Sequence, residues 1–282
     1  MRVVLLHNPA SGSGSGPFGD ELAAMLREEG AAEVACLPIA EGLAAIGPGV
    51  DRAVLASGDG GVGPAAEAAG AAGVPLAVIP SGTANDFARR MGLPDDPRQA
   101  ARLAARGDQR RRLDLARMGD HPFVNVATAG LSGAAARPAA PLKRGLGPFA
   151  YFVGAGVTAG GGRALRCAVD VDGRRVFQGR AWQVMVACSG AFGAGSVIDE
   201  AEPDDGLLDV VVIEAGNRLR LVQYADALRD GRVTRQPGVL SARGARVSLG
   251  LPGQAELNVD GEVVPARTPI TIAPGHFELV VP

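Results

Sequence analysis

Four short apolar runs in the first third of the chain constrain the fold more than any other feature. Residues 3–6, 34–37, 53–56 and 76–79 are apolar at successive positions. Strands buried on both faces of a parallel sheet read this way, whereas a strand with one wet side alternates. Helical stretches are predicted between them at residues 20–29, 64–72 and 83–91, and Pro64 suits a first helical turn, where a missing N–H costs nothing. Residues 97–106 add a helix with an Ala/Leu stripe and Gly107 as its stop. This alternation specifies a layered α/β domain with a mostly parallel sheet.

From about residue 109 the texture changes. Strands are predicted at residues 111–118, 123–127, 166–171, 175–177, 182–187, 207–213, 245–249, 255–259, 270–272 and 277–281. Helices are predicted at 146–157 and 219–229. Asp172-Gly173 and Asp260-Gly261 are hairpin turn pairs. Closely spaced strands joined by such turns imply a second, antiparallel β-sandwich domain. A chain of 282 residues has room for two domains. We place the α/β domain at residues 1–112 and the sandwich at 113–270, with a terminal strand at 271–282 returning to the first domain.

Bulk properties exclude several functions. The net charge of −2 gives no drive toward nucleic acid, and aromatic residues at 4% supply no stacking platform for single strands. The positive charge is almost all arginine, and Lys143 is the single lysine. Cys36, Cys167 and Cys188 are too few and too scattered for a disulfide framework or a zinc site, which suits a reducing cytoplasm. The N-terminal apolar run reaches Asn8-Pro9 too soon for a signal sequence, and no run approaches the ~20 apolar residues of a membrane helix. Contact with lipid is therefore expected to be peripheral, at the inner membrane surface. His7, His121 and His276 form no ligand pattern.

Three Gly-rich loops follow predicted strands: Asn8-Pro9-Ala10-Ser11-Gly12-Ser13-Gly14, Ser57-Gly58-Asp59-Gly60-Gly61 and Pro80-Ser81-Gly82-Thr83-Ala84-Asn85-Asp86. Glycine lets backbone approach a phosphate, and the following helix offers free N–H groups and a positive dipole end. In open α/β sheets these loops sit where ligands bind. One such loop alone is more often a plain turn; three after successive strands are better evidence. No P-loop exists, because Lys143 is followed by Arg144. The first loop has a dinucleotide-fingerprint spacing at Gly12, Gly14 and Gly16, but no acidic ribose partner follows until Glu41.

In order, Asn8-Pro9, Ser57-Gly58-Asp59-Gly60, Pro80 through Arg89, Asp204-Asp205-Gly206-Leu207-Leu208-Asp209 and Asp260-Gly261-Glu262 resemble the diacylglycerol-kinase-like lipid kinase family. Leu113-Asp114-Leu115, Phe123-Val124-Asn125 and Gly147-Pro148-Phe149-Ala150-Tyr151 are similar to it as well. The resemblance implies ATP- and Mg²⁺-dependent phosphorylation of a lipid hydroxyl in a cleft between an α/β domain and a β-sandwich. It implies nucleotide binding by Asn8, Ser57, Gly58, Asp59, Gly60, Gly61, Ser81, Gly82, Thr83, Asn85 and Asp86. Asp59 would face the phosphates and magnesium, Thr83 would bond a phosphate, and Asn85 and Asp86 would hold the loop. Glu262 would be the general base, although an Asp-Gly-Glu run is equally a hairpin turn on its own. Asp205 would ligate a structural Mg²⁺, with the backbone of Glu202 and Leu207 nearby. Such chemistry needs a phosphate cradle, a metal and a positioned base.

Departures from the family pattern bear on turnover. Its Gly-Gly-Asp-Gly-Thr motif stands here as Ser57-Gly58-Asp59-Gly60-Gly61, and a following Asn and Glu are Gly63 and Pro64. Glu67, one turn on, is a candidate substitute. The usual Asn-Gly and Gly-Gly-Gly appear as Ser189-Gly190 and Gly193-Ala194-Gly195, and a usual proline is Asp199. Two alternatives follow: a nucleotide or lipid sensor of the same fold, and a relative of the NAD kinases. A homodimer is left open.

Overall fold

The computed structural model describes residues 1–8, 19–131, 164–193, 195–198 and 200–282. Pro9 through Gly16, Lys143, the predicted helix at 146–157 with its Gly147 to Tyr151 motif, Ala194 and Asp199 lie outside the described residues. The chain divides into two compact units, Met1–Leu115 with Ala273–Pro282, and Ala116–Ile272.

The first unit contains β1 (Arg2–His7), α1 (Gly19–Glu28), β2 (Glu33–Pro38), α2 (Ile39–Gly42), β3 (Arg52–Ser57), α3 (Val62–Ala72), β4 (Leu76–Pro80), α4 (Asp86–Arg90) and α5 (Pro97–Arg106). Its parallel strands run in the order β2-β1-β3-β4. Leu5, Val54, Leu55 and Leu76 are fully buried, which is why these runs carry no polar alternation. Helix α1 buries Leu22, Ala23 and Leu26, while α5 buries Ala100, Ala101 and Ala104. The start of α5 is fixed by Pro97 and by the Asp96 side chain, which accepts from Gln99 N at 2.9 Å. At its other end the buried Arg52 guanidinium donates to Ala104 O at 2.6 Å and Gly107 O at 2.9 Å. A cation there meets the negative end of the helix dipole.

Helix α4 is shorter than the predicted 83–91. Asn85 has left-handed backbone (φ 49°, ψ 42°), and its Oδ1 accepts from Gly82 N at 2.9 Å. Residues 82–85 are thereby folded into a turn that a helix cannot enter.

The second unit is antiparallel. It holds the end of β5 (Arg110–Met118), then β6 (His121–Phe123), β7 (Val126–Gly130), β8 (Leu165–Val171), β9 (Arg174–Ala187), the short pair β10 (Ala191–Phe192) and β11 (Ser196–Val197), and β12 (Leu208–Glu214). After α6 (Arg220–Arg229) come β13 (Val239–Gly244), β14 (Arg246–Gly250), β15 (Glu256–Val259), β16 (Glu262–Pro265) and the start of β17 (Ile270–Val280). The path is β16-β15-β7-β9-β8-β14, with β12 also on β9 and β13 on β12.

Two predicted strands, at 175–177 and 182–187, are a single 14-residue strand, β9. Its first half pairs with β8 and its second half runs between β7 and β12, so it needs no break. The runs at 270–272 and 277–281 are likewise one strand, β17, whose residues from Ala273 onward belong to the first unit and place Leu279 beside Leu76. The predicted strand at 123–127 is instead split between β6 and β7. Asp172 and Gly173 (φ 49° and 79°) make the expected left-handed turn between β8 and β9. Val184, Val186, Val210, Val212 and Val259 fill one side of the sheet, and α6 covers the other through Leu221, Tyr224 and Leu228.

Candidate functional site

In the first unit, Ser57 at the end of β3 lies in register with Pro80 at the end of β4, so the two following loops start side by side. Ser81 N donates to Ser57 O at 3.1 Å, and Asn8 N, just after β1, donates to Ala56 O at 3.3 Å. The loops touch through glycine. A Cβ added to Gly82 would lie 2.5 Å from the Gly58 Cα, a distance no side chain tolerates. Gly58 itself is extended (φ −82°, ψ −172°), so what favours its glycine is close approach, a Cβ there lying 3.1 Å from Gly82 Cα, and not backbone freedom.

Asp59 ties the loops together. Its Oδ1 accepts from Phe87 N at 2.8 Å and its Oδ2 from Asp86 N at 3.1 Å, the first two N–H groups of α4. A carboxylate at a helix N-terminus satisfies orphan donors and faces the positive dipole end. This gives Asp59 a structural role that the sequence does not disclose. Asp86 is buried and accepts from Arg89 at 3.2 Å, and Arg89 also donates to Ala84 O at 2.5 Å. Thr83 and Gly82 are exposed at the tip, with Gly60 and Gly61 in a single 3₁₀ turn opposite Ser57. Asn8, Ser57 to Gly61 and Ser81 to Asp86 thus gather at the carboxyl ends of β1, β3 and β4. Glu67 stands apart from them: its carboxylate lies 3.9 Å from His276 Nε2, and His276 Nε2 is 3.4 Å from Glu67 O.

In the second unit the Asp260-Gly261 turn (φ 47° and 95°) presents Glu262, exposed, as the first residue of β16. Asp260 grips the segment between β6 and β7. Its Oδ2 accepts from Val124 N at 2.9 Å, and its Oδ1 from Asn125 N at 3.1 Å and Val126 N at 3.0 Å. Three successive N–H groups taken by one carboxylate cannot also serve a strand ladder, which explains the break in the predicted strand. Asn258 Oδ1 accepts from Gly261 N at 3.0 Å. The Asn125 Oδ1 in turn accepts from the buried Ser189 Oγ at 2.8 Å. Phe123-Val124-Asn125, Ser189-Gly190 and Asp260-Gly261-Glu262, far apart in sequence, therefore form one network.

The Asp204 to Asp209 segment is tied to β13 by ion pairs. Leu207 N donates to Asp205 Oδ1 at 2.9 Å. The other Asp205 oxygen is ion-paired with Arg243, whose Nε lies 2.8 Å from Asp209 Oδ1. Arg243 on β13 is in direct register with Asp209 on β12. Magnesium prefers oxygen donors in octahedral array; among the described residues no group of three or more His, Cys, Asp or Glu is gathered for one, and a set of one carboxylate with backbone oxygens is of another kind. Glu202 is exposed and adds no such group.

Burial raises the Asp209 carboxyl from 3.8 to about 6, against the pull of Arg243 in the opposite direction. With the folded value above the unfolded one, this group favours folding most at low pH. Its contribution falls as pH rises through about 6, by on the order of 2–3 kcal/mol. Relative to an Asp209→Asn variant, the wild type is expected to lose roughly 2 kcal/mol between pH 4.5 and 7.5, measured by urea unfolding. An equal stability gap at both pH values would contradict it.

Comparison with known proteins agrees with both units. Residues 2–118 match the model of the diacylglycerol kinase catalytic domain, and residues 125–281 that of the YegS C-terminal NAD kinase beta sandwich-like domain. A diacylglycerol kinase of Staphylococcus aureus is 29% identical over 189 residues, covering 66% of this chain and 59% of that relative. The match thus spans less than two thirds of the curated relative. A solved candidate diacylglycerol kinase from Bacillus anthracis superimposes with TM-score 0.81 at 22% identity, covering 100% of this chain and 97% of that one. An NAD kinase from Archaeoglobus fulgidus in complex with ATP gives TM-score 0.54 at 15% identity, covering 99% and 93%. Fold and loops together define an α/β domain joined to a β-sandwich of the NAD-kinase type. The chain belongs to the YegS-like, diacylglycerol-kinase-like lipid kinase family.

Proposed function

We propose that this chain transfers the γ-phosphoryl group of ATP, taken up as its magnesium complex, to the hydroxyl of diacylglycerol or a related lipid alcohol. The observation that carries the reading is the Asp59 bond to α4, which holds two strand-end loops as one cradle with Thr83 at its exposed tip. Glycines and other small residues there let an anionic phosphate chain approach the backbone closely. Glu262 takes the proton from the attacking hydroxyl, the new O–P bond forms, and ADP leaves with the electrons of the broken bond. Asp260 and Asn258 hold the turn from which Glu262 projects. The kinase names of the Staphylococcus aureus and Bacillus anthracis relatives support the phosphotransfer, and the ATP complex of the Archaeoglobus NAD kinase supports the nucleotide.

Peripheral contact with a cytoplasmic membrane surface is part of the proposal. Among the described residues no helix is long and apolar enough to cross a membrane. Leu219 (74% exposed), between Arg218 and Arg220, and Val222 (53%), two residues after Arg220, stand out at the start of α6. Exposed apolar side chains beside arginines suit an anionic lipid surface.

Radiolabelled ATP is expected to label diacylglycerol in mixed micelles when magnesium is present and not when it is chelated. Gly61, Gly63 and Pro64 remove a hydroxyl, an amide and a carboxylate from the family motif, and they favour a second reading as a non-transferring sensor. Tight ATP binding without transfer to any lipid alcohol would select that reading. Label appearing on NAD and not on lipid would select the NAD-kinase one.

A further inference from the structure

Gly61 opens α3 with φ −80° and ψ −18°, right-handed values open to any residue. Glycine is not needed there for its backbone. What excludes a side chain is Ser57. A Cβ at position 61 would lie 2.5 Å from Ser57 Oγ, 2.8 Å from Ser57 Cβ and 3.2 Å from Ile39 Cδ1. Rotating the hydroxyl relieves only the first contact, because the Ser57 Cβ is fixed by the backbone of β3. Ser57 is itself 4% exposed, and it is not among the residues with positive φ, so the serine sits in its strand without backbone strain. Positions 57 and 61 compete for one volume, and it holds one hydroxyl-bearing side chain.

That volume adjoins the first turn of α3, where Gly61 supplies no side-chain cap to the N–H groups beyond it. On the neighbouring strand end, Ser81 Oγ is buried with no hydrogen-bond partner among the described residues, and Ser81 N is bonded to Ser57 O. A buried hydroxyl without a partner is costly unless a ligand completes it. Serine hydroxyls on two adjacent strand ends, beside the positive end of α3, together suit the oxygens of a phosphate.

We infer that Ser57 supplies, from the end of β3, the phosphate-binding hydroxyl that the resembled motif carries at position 61. The hydroxyl has been transposed across the loop and not lost. This rests on the nucleotide reading under Proposed function. It turns the Ser57/Gly61 departure from a defect into a reciprocal exchange.

Three variants test it, read by calorimetric titration with MgATP and by thermal unfolding without nucleotide. Ser57→Ala keeps the Cβ and removes only the hydroxyl. It is expected to hold the wild-type Tm and to weaken MgATP binding by about ten- to a hundred-fold, the range for a bond to a charged acceptor. Gly61→Thr alone overfills the volume and is expected to lower Tm by about 3–10 °C. The double variant Ser57→Gly/Gly61→Thr restores one side chain to the volume and should recover both Tm and affinity. Wild-type affinity in Ser57→Ala overturns the inference and leaves the kinase reading standing, as does a double variant no more stable than Gly61→Thr. Wild-type protein that binds no MgATP sinks the kinase reading and this inference with it.

Discussion

Glu262→Gln is expected to reduce lipid phosphorylation by about a hundred- to ten-thousand-fold, with MgATP affinity and Tm unchanged. The separation of effects follows from how the turn is built. Its left-handed residues are Asp260 and Gly261, and it is held by the Asp260 carboxylate on three N–H groups and by Asn258 on Gly261 N. Glu262 begins β16 beyond these bonds with its side chain exposed. Glutamine keeps the length and shape of the side chain and cannot accept a proton at neutral pH. Only a step that requires a base should notice. Initial rates with ATP and diacylglycerol, paired with calorimetric titration of MgATP, provide the check. Rates within threefold of wild type would remove Glu262 from the chemistry and leave it a hairpin residue.

The parallel strands were legible because burial on both faces leaves a continuous apolar run, and β1 to β4 follow those runs within a residue or so. The Asp-Gly turns were legible for an equally local reason, since left-handed backbone has few takers. What escaped were bonds formed by side chains distant in sequence. Asp59 and α4 are 27 residues apart, and Asp260 and Val126 are 134 apart. A carboxylate reaching a distant N–H leaves no periodicity behind. The same blindness split β9 in two, because a strand that changes partners midway shows two patterns, and it hid the ion pair of Asp205 with Arg243. Arg243, 38 residues on, could not be placed beside Asp205 until β13 was known to pair with β12. The Ser57/Gly61 exchange lies between these cases: both residues are visible in the motif, but only their distance shows that they share a volume.

Asp59→Ala is expected to have the widest effect, and the property that discriminates is measured without nucleotide. If Asp59 acted on phosphates alone, the empty protein would lose nothing on its removal. In the structure the carboxylate accepts from Phe87 N and Asp86 N and so caps α4 from another loop. Losing such a cap costs about 0.5–2 kcal/mol, and charge-assisted bonds at a partly buried position bring the total to roughly 2–3 kcal/mol. The apo Tm should therefore drop by about 5–15 °C. Gly58 and Gly82 meet backbone to backbone, so they supply no side-chain contact to keep the loops together once the carboxylate is gone. MgATP binding should then fall by at least a hundred-fold, because the loops that make the cradle no longer share a fixed geometry. Asp59→Asn retains one acceptor oxygen and should fall between the two proteins in both measurements. A variant with wild-type apo Tm and lost affinity would return Asp59 to a purely phosphate-facing role. One with lowered Tm and intact affinity would show that the cradle forms without that bond.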